Sequence, residues 1–244
     1  MSQNWRSHFY HDYLAFKSWD DKRPAVLDEI FAIEAGRAGI TPPAAVLEIG
    51  FGSGHFLDWA AGKGYRTAGV EIISSLVESA ARRGHRSLSG LPREVLNPAV
   101  DRFDLIVAFD VFEHMTVEEL VDFLQLAASL LNPDGRLLAR FPNGSSPFGA
   151  FIQAGDITHV TVLSAARIRQ IGLSAGLDLI AAFNSARPVA GGVRRVFAQK
   201  ARYLARDAIE VFIGRLYFGS VVPLDPNITV VLGKVQDTKE SVRR

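Results

Sequence analysis

The sequence contains no cysteine among its 244 residues, which excludes disulfide bonds and metal sites built from thiolates. It also lacks a charge imbalance: 27 lysines and arginines stand against 26 aspartates and glutamates, so no overall field favours nucleic acid as a partner. This balance leaves room for a local charged patch. No apolar run reaches the length of a membrane span, and the N-terminus has no apolar segment of the signal-peptide type. We therefore expect a cytoplasmic globular protein.

The most informative stretch is a short apolar run that breaks into alternating glycines. Residues 45–49 are predicted to form a strand, Gly50, Gly52 and Gly54 a tight turn, and residues 54–62 a helix. Glycine tolerates positive φ and lets a ligand lie against the backbone, and the following helix start presents unpaired N–H groups to it. The stretch therefore predicts a nucleotide-type pocket. A dinucleotide fingerprint would require glycine at His55, so NAD fits poorly.

Apolar strand-like runs alternate with helical patterns through most of the chain. Strands are predicted at 45–49, 67–70, 86–88, 104–109, 136–141, 177–183 and 227–235, and helices at 24–38, 54–62, 74–83, 117–131 and 164–175. The Asn-Pro-Asp-Gly sequence at 132–135 predicts a turn. This alternation is typical of an α/β fold with a doubly wound, mostly parallel sheet whose ligand binds beyond the carboxyl ends of the strands.

We expect one domain over residues 1–244. It comprises a helical cap at 1–40, a core at 41–185, a helical insertion at 188–226 and a final strand at 227–235. Residues 1–22 carry aromatic side chains at helical spacing, which predicts an amphipathic helix. The insertion mixes basic and aromatic residues and predicts one or two amphipathic helices. They could form a lid on the core, with solvated arginines, or make a peripheral contact with a membrane.

With Glu48 two residues before Gly50, the E-x-G-x-G-x-G pattern resembles motif I of class I S-adenosylmethionine-dependent methyltransferases. Residues 110–114 resemble the acid-x-x-Glu-His segment of ubiquinone-biosynthesis O-methyltransferases. Residues 156–159 resemble the D-x-x-H segment of many small-molecule and sugar methyltransferases. The resemblance covers about residues 41–185 and the last strand. It implies a seven-stranded Rossmann-like sheet and S-adenosyl-L-methionine as the cofactor.

The cofactor-binding residues follow from this resemblance. Glu71 ends the second predicted strand, where a carboxylate can accept from both ribose hydroxyls; its alternative role is that of an acid at a helix N-terminus. Glu48 would hold the methionine ammonium, or cap nearby amides. Adenine would pack on Ile72 and be read by Ser89 or by the backbone near Leu91. The full predicted set is Glu48, Gly50, Phe51, Gly52, Gly54, Glu71, Ile72, Ser89, Leu91, Phe109, Asp110 and Val111.

A hydroxyl acceptor needs a base as it attacks the methyl group, whereas donor alignment supplies most of the remaining catalysis. His159 is the leading candidate because histidine titrates near neutral pH and this residue is expected over the pocket mouth. The alternative is a loop histidine that binds backbone. His114 is the second candidate, with a structural role as its alternative.

We assign no residue to a metal, although one arrangement points to that chemistry. Asp110, Glu113, His114 and His159 resemble the set with which small-RNA 2′-O-methyltransferases bind a divalent ion. Mg²⁺ or Mn²⁺ would suit carboxylate and imidazole ligands.

We expect methyl transfer to a hydroxyl of a small polar acceptor, and the resemblance suggests a sugar of surface-polysaccharide synthesis. The alternatives are an NAD-dependent oxidoreductase and a non-catalytic cofactor-binding domain. The sequence does not indicate the oligomeric state.

Overall fold

A computed structural model of the protein describes residues 23–235. Seven strands are present in this range: β1 Ala45–Ile49, β2 Arg66–Glu71, β3 Arg86–Ser89, β4 Phe103–Phe109, β5 Leu131–Pro142, β6 Leu177–Asn184 and β7 Asn227–Lys234. The α-helices of the same range are α1 Val26–Ala38, α2 His55–Gly62, α3 Ser74–Arg82, α4 Pro92–Val95, α5 Val117–Leu130, α6 Gly149–Gln153, α7 Ala165–Ser174 and α8 Val193–Phe218. A single 3₁₀ turn covers Phe112–His114. The predicted helix over residues 1–22 lies outside the described range.

All seven strands belong to one sheet in the order β3-β2-β1-β4-β5-β7-β6. Strands β1 to β5 pair in parallel, and β7 runs antiparallel to both of its neighbours. The predicted doubly wound, mostly parallel sheet is therefore confirmed. Strands β2 and β3 lie on one side of β1, and β4 lies on the other, so the strand order reverses between β1 and β4. A crevice opens beyond the carboxyl ends of the strands at such a switch point.

The central strands are apolar because helices cover both of their faces. Val46, Leu105 and Val107 pack with aromatic side chains of α1 and α2 on one face, whereas Leu47 and Ile106 pack with α5 on the other. Near-continuous apolar runs are typical of such doubly covered parallel strands. This packing fixes the strand ends, and hence the loops that follow them.

The predicted bounds of the regular elements agree with the structure to within one residue except at α1, which begins two residues later than predicted, and at β5. The turn predicted at 132–135 falls within the bounds of β5, which begins five residues earlier than predicted, but these four residues do not pair with β4. Leu131 pairs with Phe103 and Arg136 with Leu105, so the extra residues bulge out of the ladder. A Cβ atom on Gly135 would lie 3.1 Å from the carbonyl oxygens of Asn132 and Phe103, which shows how closely the backbone folds on itself there.

Two short helices, α4 and α6, were not predicted. The insertion forms one continuous helix of 26 residues, α8. Between residues 23 and 235, no helix combines the length and the apolar character needed to cross a membrane.

Candidate active site

A cavity of about 650 Å³ opens at the carboxyl ends of β1, β2 and β4, the edge predicted to hold the ligand. Most of the predicted cofactor residues line it: Glu48, Gly50, Phe51, Gly52, Glu71, Ile72, Leu91, Phe109, Asp110 and Val111. Gly54 lies at the start of α2, outside the lining. Ser89 is also outside it and contacts Ser74, so the expected contact of Ser89 with adenine has no support in this geometry.

The glycine loop has the backbone that the sequence predicts. Gly50, Gly52 and Gly54 all have positive φ, between 52° and 71°. A Cβ atom on Gly50 would lie 2.8 Å from Val111 Cγ2, so the end of β4 also requires glycine at this position. Any side chain at Gly50 would therefore both strain the loop and displace Val111 from the cavity wall.

The Glu71 carboxylate joins the glycine loop to the start of α3. Its Oε2 accepts a hydrogen bond from the Gly52 amide at 3.0 Å, and its Oε1 accepts from the amides of Ile72 at 2.7 Å and Ile73 at 3.1 Å. Burial raises the pKa of Glu71, and these amides oppose the rise. Because carboxylate oxygens carry several lone pairs, Glu71 can hold the loop and still accept from a ligand.

Glu48 is a buried carboxylate at the floor of the cavity, with 4% of its surface exposed. Within residues 23–235, its Oε2 has no hydrogen-bond partner. Burial, and then the negative charge of Glu71, raise the pKa of Glu48 well above its usual range. A cation in the cavity would compensate this carboxylate.

Asp110 and Arg140 form an ion pair in the cavity wall. Arg140 Nε donates to Asp110 Oδ1 at 3.1 Å, and a second nitrogen donates to Oδ2. Burial lowers the pKa of Arg140, but the charge and hydrogen bonds of Asp110 together with the charges of Glu34 and Glu113 outweigh this, so the pKa lies above its usual value. Arg140 lies 5.0 Å over the Phe109 ring, and Asp110 has the left-handed φ of 57° that aspartate tolerates better than most residues.

His114 reaches the cavity from the 3₁₀ turn after β4. Its Nδ1 lies 2.9 Å from Thr158 Oγ1, whose hydroxyl proton is donated to Asp156 Oδ1 at 2.5 Å. Thr158 therefore accepts from His114, which places a proton on Nδ1 and a lone pair on Nε2 of the neutral ring. This is a relay of the kind that holds an imidazole in one tautomer.

His159 does not line the cavity, contrary to the position expected from the sequence. Only 6% of its side chain is exposed, and its ring packs on that of His114 with 4.7 Å between centroids. Its Nδ1 donates to the Gln153 carbonyl at 3.2 Å, and its Nε2 lies 3.9 Å from carboxylate oxygens of both Glu113 and Asp156. His159 thus forms a second layer behind His114, and its catalytic role stays a prediction.

Three of the four residues considered for a metal come together. Glu113, His114 and His159 each offer a ligand atom, and these atoms lie within 4.8 Å of one another. Asp110 is not part of this group, since its carboxylate pairs with Arg140.

Comparison with known proteins agrees with this geometry. Residues 13–182 match the model of a methyltransferase domain family. The chain belongs to this methyltransferase family. Because the match covers more than half of the sequence, the methyltransferase prediction is confirmed, and the family favours it over the NAD-dependent oxidoreductase. The likeness to ubiquinone-type enzymes in particular stays a prediction.

Solved structures with the same fold are similar to this methyltransferase at low sequence identity. A SAM-dependent methyltransferase from Archaeoglobus fulgidus is 14% identical with a TM-score of 0.61, over 93% of this chain and 100% of that chain. A cyclopropane synthase from Mycobacterium tuberculosis is 16% identical with a TM-score of 0.58, over 84% and 82%. The mitomycin 7-O-methyltransferase is 15% identical with a TM-score of 0.59, over 86% and 54%. No curated protein matches the sequence.

The methyltransferase also has cavity residues that the sequence did not reveal. Arg140 is the main one, and its only signal was a cation within the apolar run of β5. Several others lie on α1, α4 and α5, among them Leu27, Phe31, Arg93, Glu119, Asp122, Phe123 and Leu126. Their spacing on helices is that of ordinary core and surface positions, so their approach to the cavity depends on tertiary packing.

Proposed function

We propose that this methyltransferase moves a methyl group from S-adenosyl-L-methionine to a hydroxyl of a small polar acceptor. The observation that carries the hydroxyl assignment is the His114–Thr158–Asp156 relay in the wall of the cavity. A hydroxyl is a weak nucleophile until its proton is removed, so it requires a base as it attacks, whereas a neutral amine can attack first and lose its proton afterwards.

The cavity fits S-adenosyl-L-methionine at both of its ends. The buried Glu48 carboxylate matches an ammonium, which would satisfy Oε2 and compensate the charge. Glu71 lies at the end of the neighbouring strand, where ribose hydroxyls can donate to it. Leu91 and Ile72 supply apolar surface for adenine. When bound, the cofactor supplies an electrophilic methyl group on a positively charged sulfur.

The proton of the acceptor would pass to Nε2 of His114. The imidazolium that results keeps its Nδ1–H bond to Thr158, and the Asp156 carboxylate behind Thr158 stabilises the positive charge. His159 packs on the ring and fixes its orientation. We therefore assign proton transfer to His114 and positioning to His159, the reverse of the order expected from the sequence.

A divalent ion held by Glu113, His114 and His159 is a second candidate for activating the hydroxyl. The convergence of their ligand atoms favours it. Both imidazoles also donate from Nδ1 to protein oxygens, as metal-binding histidines commonly do. A metal would lower the pKa of a bound hydroxyl directly, so the two candidates differ in their response to chelation.

A screen of acceptors tests the proposal. The protein is incubated with S-adenosyl-L-methionine and hydroxyl compounds, beginning with nucleotide sugars and lipid-linked glycans, and products are examined for the gain of one methyl group. The sugar assignment is supported by the D-x-x-H resemblance at residues 156–159. The His114→Ala variant should bind S-adenosylhomocysteine normally and methylate poorly. Methylation confined to nitrogen or carbon acceptors would contradict the hydroxyl assignment, and binding without any transfer would favour a non-catalytic domain.

A further inference from the structure

Helix α8 has one side held firmly by the protein. Tyr203 Oη donates to the Pro188 carbonyl at 2.9 Å, and Glu210 Oε2 accepts from Asn184 Nδ2 at 2.7 Å and from the Leu224 amide at 3.0 Å. A Cβ atom on Gly214 would lie 2.5 Å from the Ser220 carbonyl oxygen, so the returning chain packs directly on the helix. These contacts determine which side of α8 faces outward.

The outward side carries a stripe of large apolar residues. Val193, Phe197, Leu204 and Phe212 are 87%, 76%, 70% and 67% exposed. Their spacings of four, seven and eight residues place them along one side of a helix, with alanines between them. Exposed single apolar residues are ordinary, but a continuous stripe over most of a 26-residue helix marks an interaction surface.

Basic residues flank this stripe. Arg194, Arg195, Lys200, Arg202 and Arg215 are all exposed, and none of them has an ion-pair partner between residues 23 and 235. The two acidic residues of α8 do not offset them at the surface. Asp207 pairs with Arg187 at 2.5 Å, and Glu210 faces inward. A chain with a net charge of only +1 thus concentrates positive charge around one apolar stripe.

We propose that the outward side of α8, defined by the stripe and its flanking basic residues, docks on an anionic lipid surface. Apolar side chains would enter the boundary between headgroups and acyl chains, and the basic residues would contact the phosphates. A second copy of the chain fits this surface less well, because its own basic residues would be placed against the basic residues of α8. Nothing in this step depends on the acceptor assigned above.

The docking helix is connected to the edge of the sheet where the cavity opens. Strand β6 runs parallel to β5, since both are antiparallel to β7, and Asn184 at its end lies level with Phe141 near the end of β5. The chain therefore leaves the sheet at its carboxyl edge, where the cavity opens, before it forms helix α8. Binding through α8 would therefore attach the protein to the lipid surface by an element that leaves the sheet at the same edge as the cavity.

Flotation of the full-length protein with vesicles tests the proposal. We expect binding to vesicles of equal parts phosphatidylcholine and phosphatidylglycerol, little binding to phosphatidylcholine alone, and weaker binding as salt is raised. The triple variant Phe197→Ser, Leu204→Ser, Phe212→Ser should lose binding. The variant Arg194→Gln, Lys200→Gln, Arg215→Gln should bind about a hundredfold more weakly, at about fivefold per basic residue. Val100→Ser, at an apolar residue 75% exposed before β4, is the matched control and should bind as the wild type does.

Thermal melting of each variant distinguishes loss of docking from loss of folding. If the triple serine variant misfolds, vesicle binding by the triple glutamine variant tests the proposal instead. Absence of binding by the wild type at low salt would overturn the proposal. Equal binding to neutral and anionic vesicles would overturn it as well. A wild-type dimer that becomes monomeric in the serine variant would instead make the stripe an interface between copies. Binding of S-adenosylhomocysteine is measured in parallel, so failure of the cofactor assignment would be seen independently.

Discussion

Replacement of Glu48 by glutamine should change stability and cofactor affinity in opposite directions. The carboxyl group is 4% exposed, and its Oε2 has no hydrogen-bond partner in the part of the chain that the structure describes. Burial and the charge of Glu71 raise its pKa, so the ionised form costs free energy in the protein without cofactor. Glutamine keeps the shape and removes the charge. It should therefore stabilise the empty protein and weaken the binding of a ligand ammonium.

The size of both effects follows from the surroundings of Glu48. Glutamine removes the charge but still leaves a buried polar group without a partner, so the free energy of unfolding should rise at neutral pH by at most about 1–3 kcal/mol. For a chain of this size that corresponds to roughly 2–12 °C in melting temperature. Loss of a hydrogen bond to a charged group should cost about 1.5–3 kcal/mol of cofactor affinity, or about ten- to a hundredfold.

The raised pKa of Glu48 determines how the free energy of unfolding and the cofactor affinity change with pH. Because the pKa of Glu48 is raised on folding, its destabilising effect is absent below the ordinary glutamate pKa of about 4.3 and grows as pH rises towards the folded pKa. The stability advantage of Glu48→Gln should therefore vanish in acid. Wild-type affinity for S-adenosylhomocysteine should rise with pH, by up to about tenfold per unit, until Glu48 is ionised.

Melting curves across pH and calorimetric titration with S-adenosylhomocysteine measure both effects. Titration in two buffers of different ionisation enthalpy should detect proton release from the wild type below the folded pKa of Glu48, and none from Glu48→Gln. Glu78→Gln, at an exposed position of α3, is the matched control and should change neither quantity. A variant that melts lower and binds S-adenosylhomocysteine equally well would refute the assignment of Glu48 to the ammonium.

Three further predictions concern the rest of the site. Glu71→Ala should weaken S-adenosylhomocysteine binding by about 1.5–3 kcal/mol in calorimetry, since it removes a charged acceptor, and unchanged affinity would exclude the ribose role. His114→Ala and His159→Ala should both lower kcat with cofactor affinity unchanged; a fall in cofactor affinity instead would indicate a structural role. Exhaustive chelation should leave activity intact if His114 acts as the base. Activity lost on chelation and restored by Mn²⁺ or Mg²⁺ would favour the metal candidate at Glu113, His114 and His159.

The cofactor side of the site was predictable because its determinants are local. Gly50, Gly52 and Gly54 are needed for backbone conformations that few other residues adopt, and Glu71 follows directly from the end of an apolar strand. Each feature depends on neighbours within a few residues, so it leaves a readable pattern in the sequence. The order of the strands then brings these local features to one edge of the sheet.

Partners that come from distant parts of the chain were not predictable in this way. Arg140 lies 30 residues after Asp110, and only the pairing of β4 with β5 brings the two together. The Asn-Pro-Asp-Gly sequence at 132–135 has the local chemistry of a turn, yet pairing of Leu131 with Phe103 extends β5 through it. The distant partner Phe103 thus lengthens β5, while residues 132–135 bulge out of the ladder as their local turn chemistry favours.

The two histidines show the same limit at the acceptor side. Sequence alone places both histidines in loops and favours His159 as the base. The amides of Val160 and Thr161 donate to the Glu113 carbonyl at 2.9 and 3.1 Å, and this holds the loop against the 3₁₀ turn after β4. His159 is thereby pressed behind His114, and only His114 reaches the cavity. Backbone hydrogen bonds between two loops that are distant in sequence thus determine which of the two imidazole rings reaches the cavity.

The two parts of the cavity are therefore determined by different features of the chain. Backbone geometry determines the glycine loop, whereas side chains from α1, α4 and α5 line other parts of the cavity. These side chains can change without disturbing the glycine loop or the sheet order, so a shared fold sets few limits on the acceptor. In the proposed function, the His114 relay is the part of this variable wall with a definite chemical consequence, because it would supply a base at the cavity. An acceptor hydroxyl is the group that would make use of it.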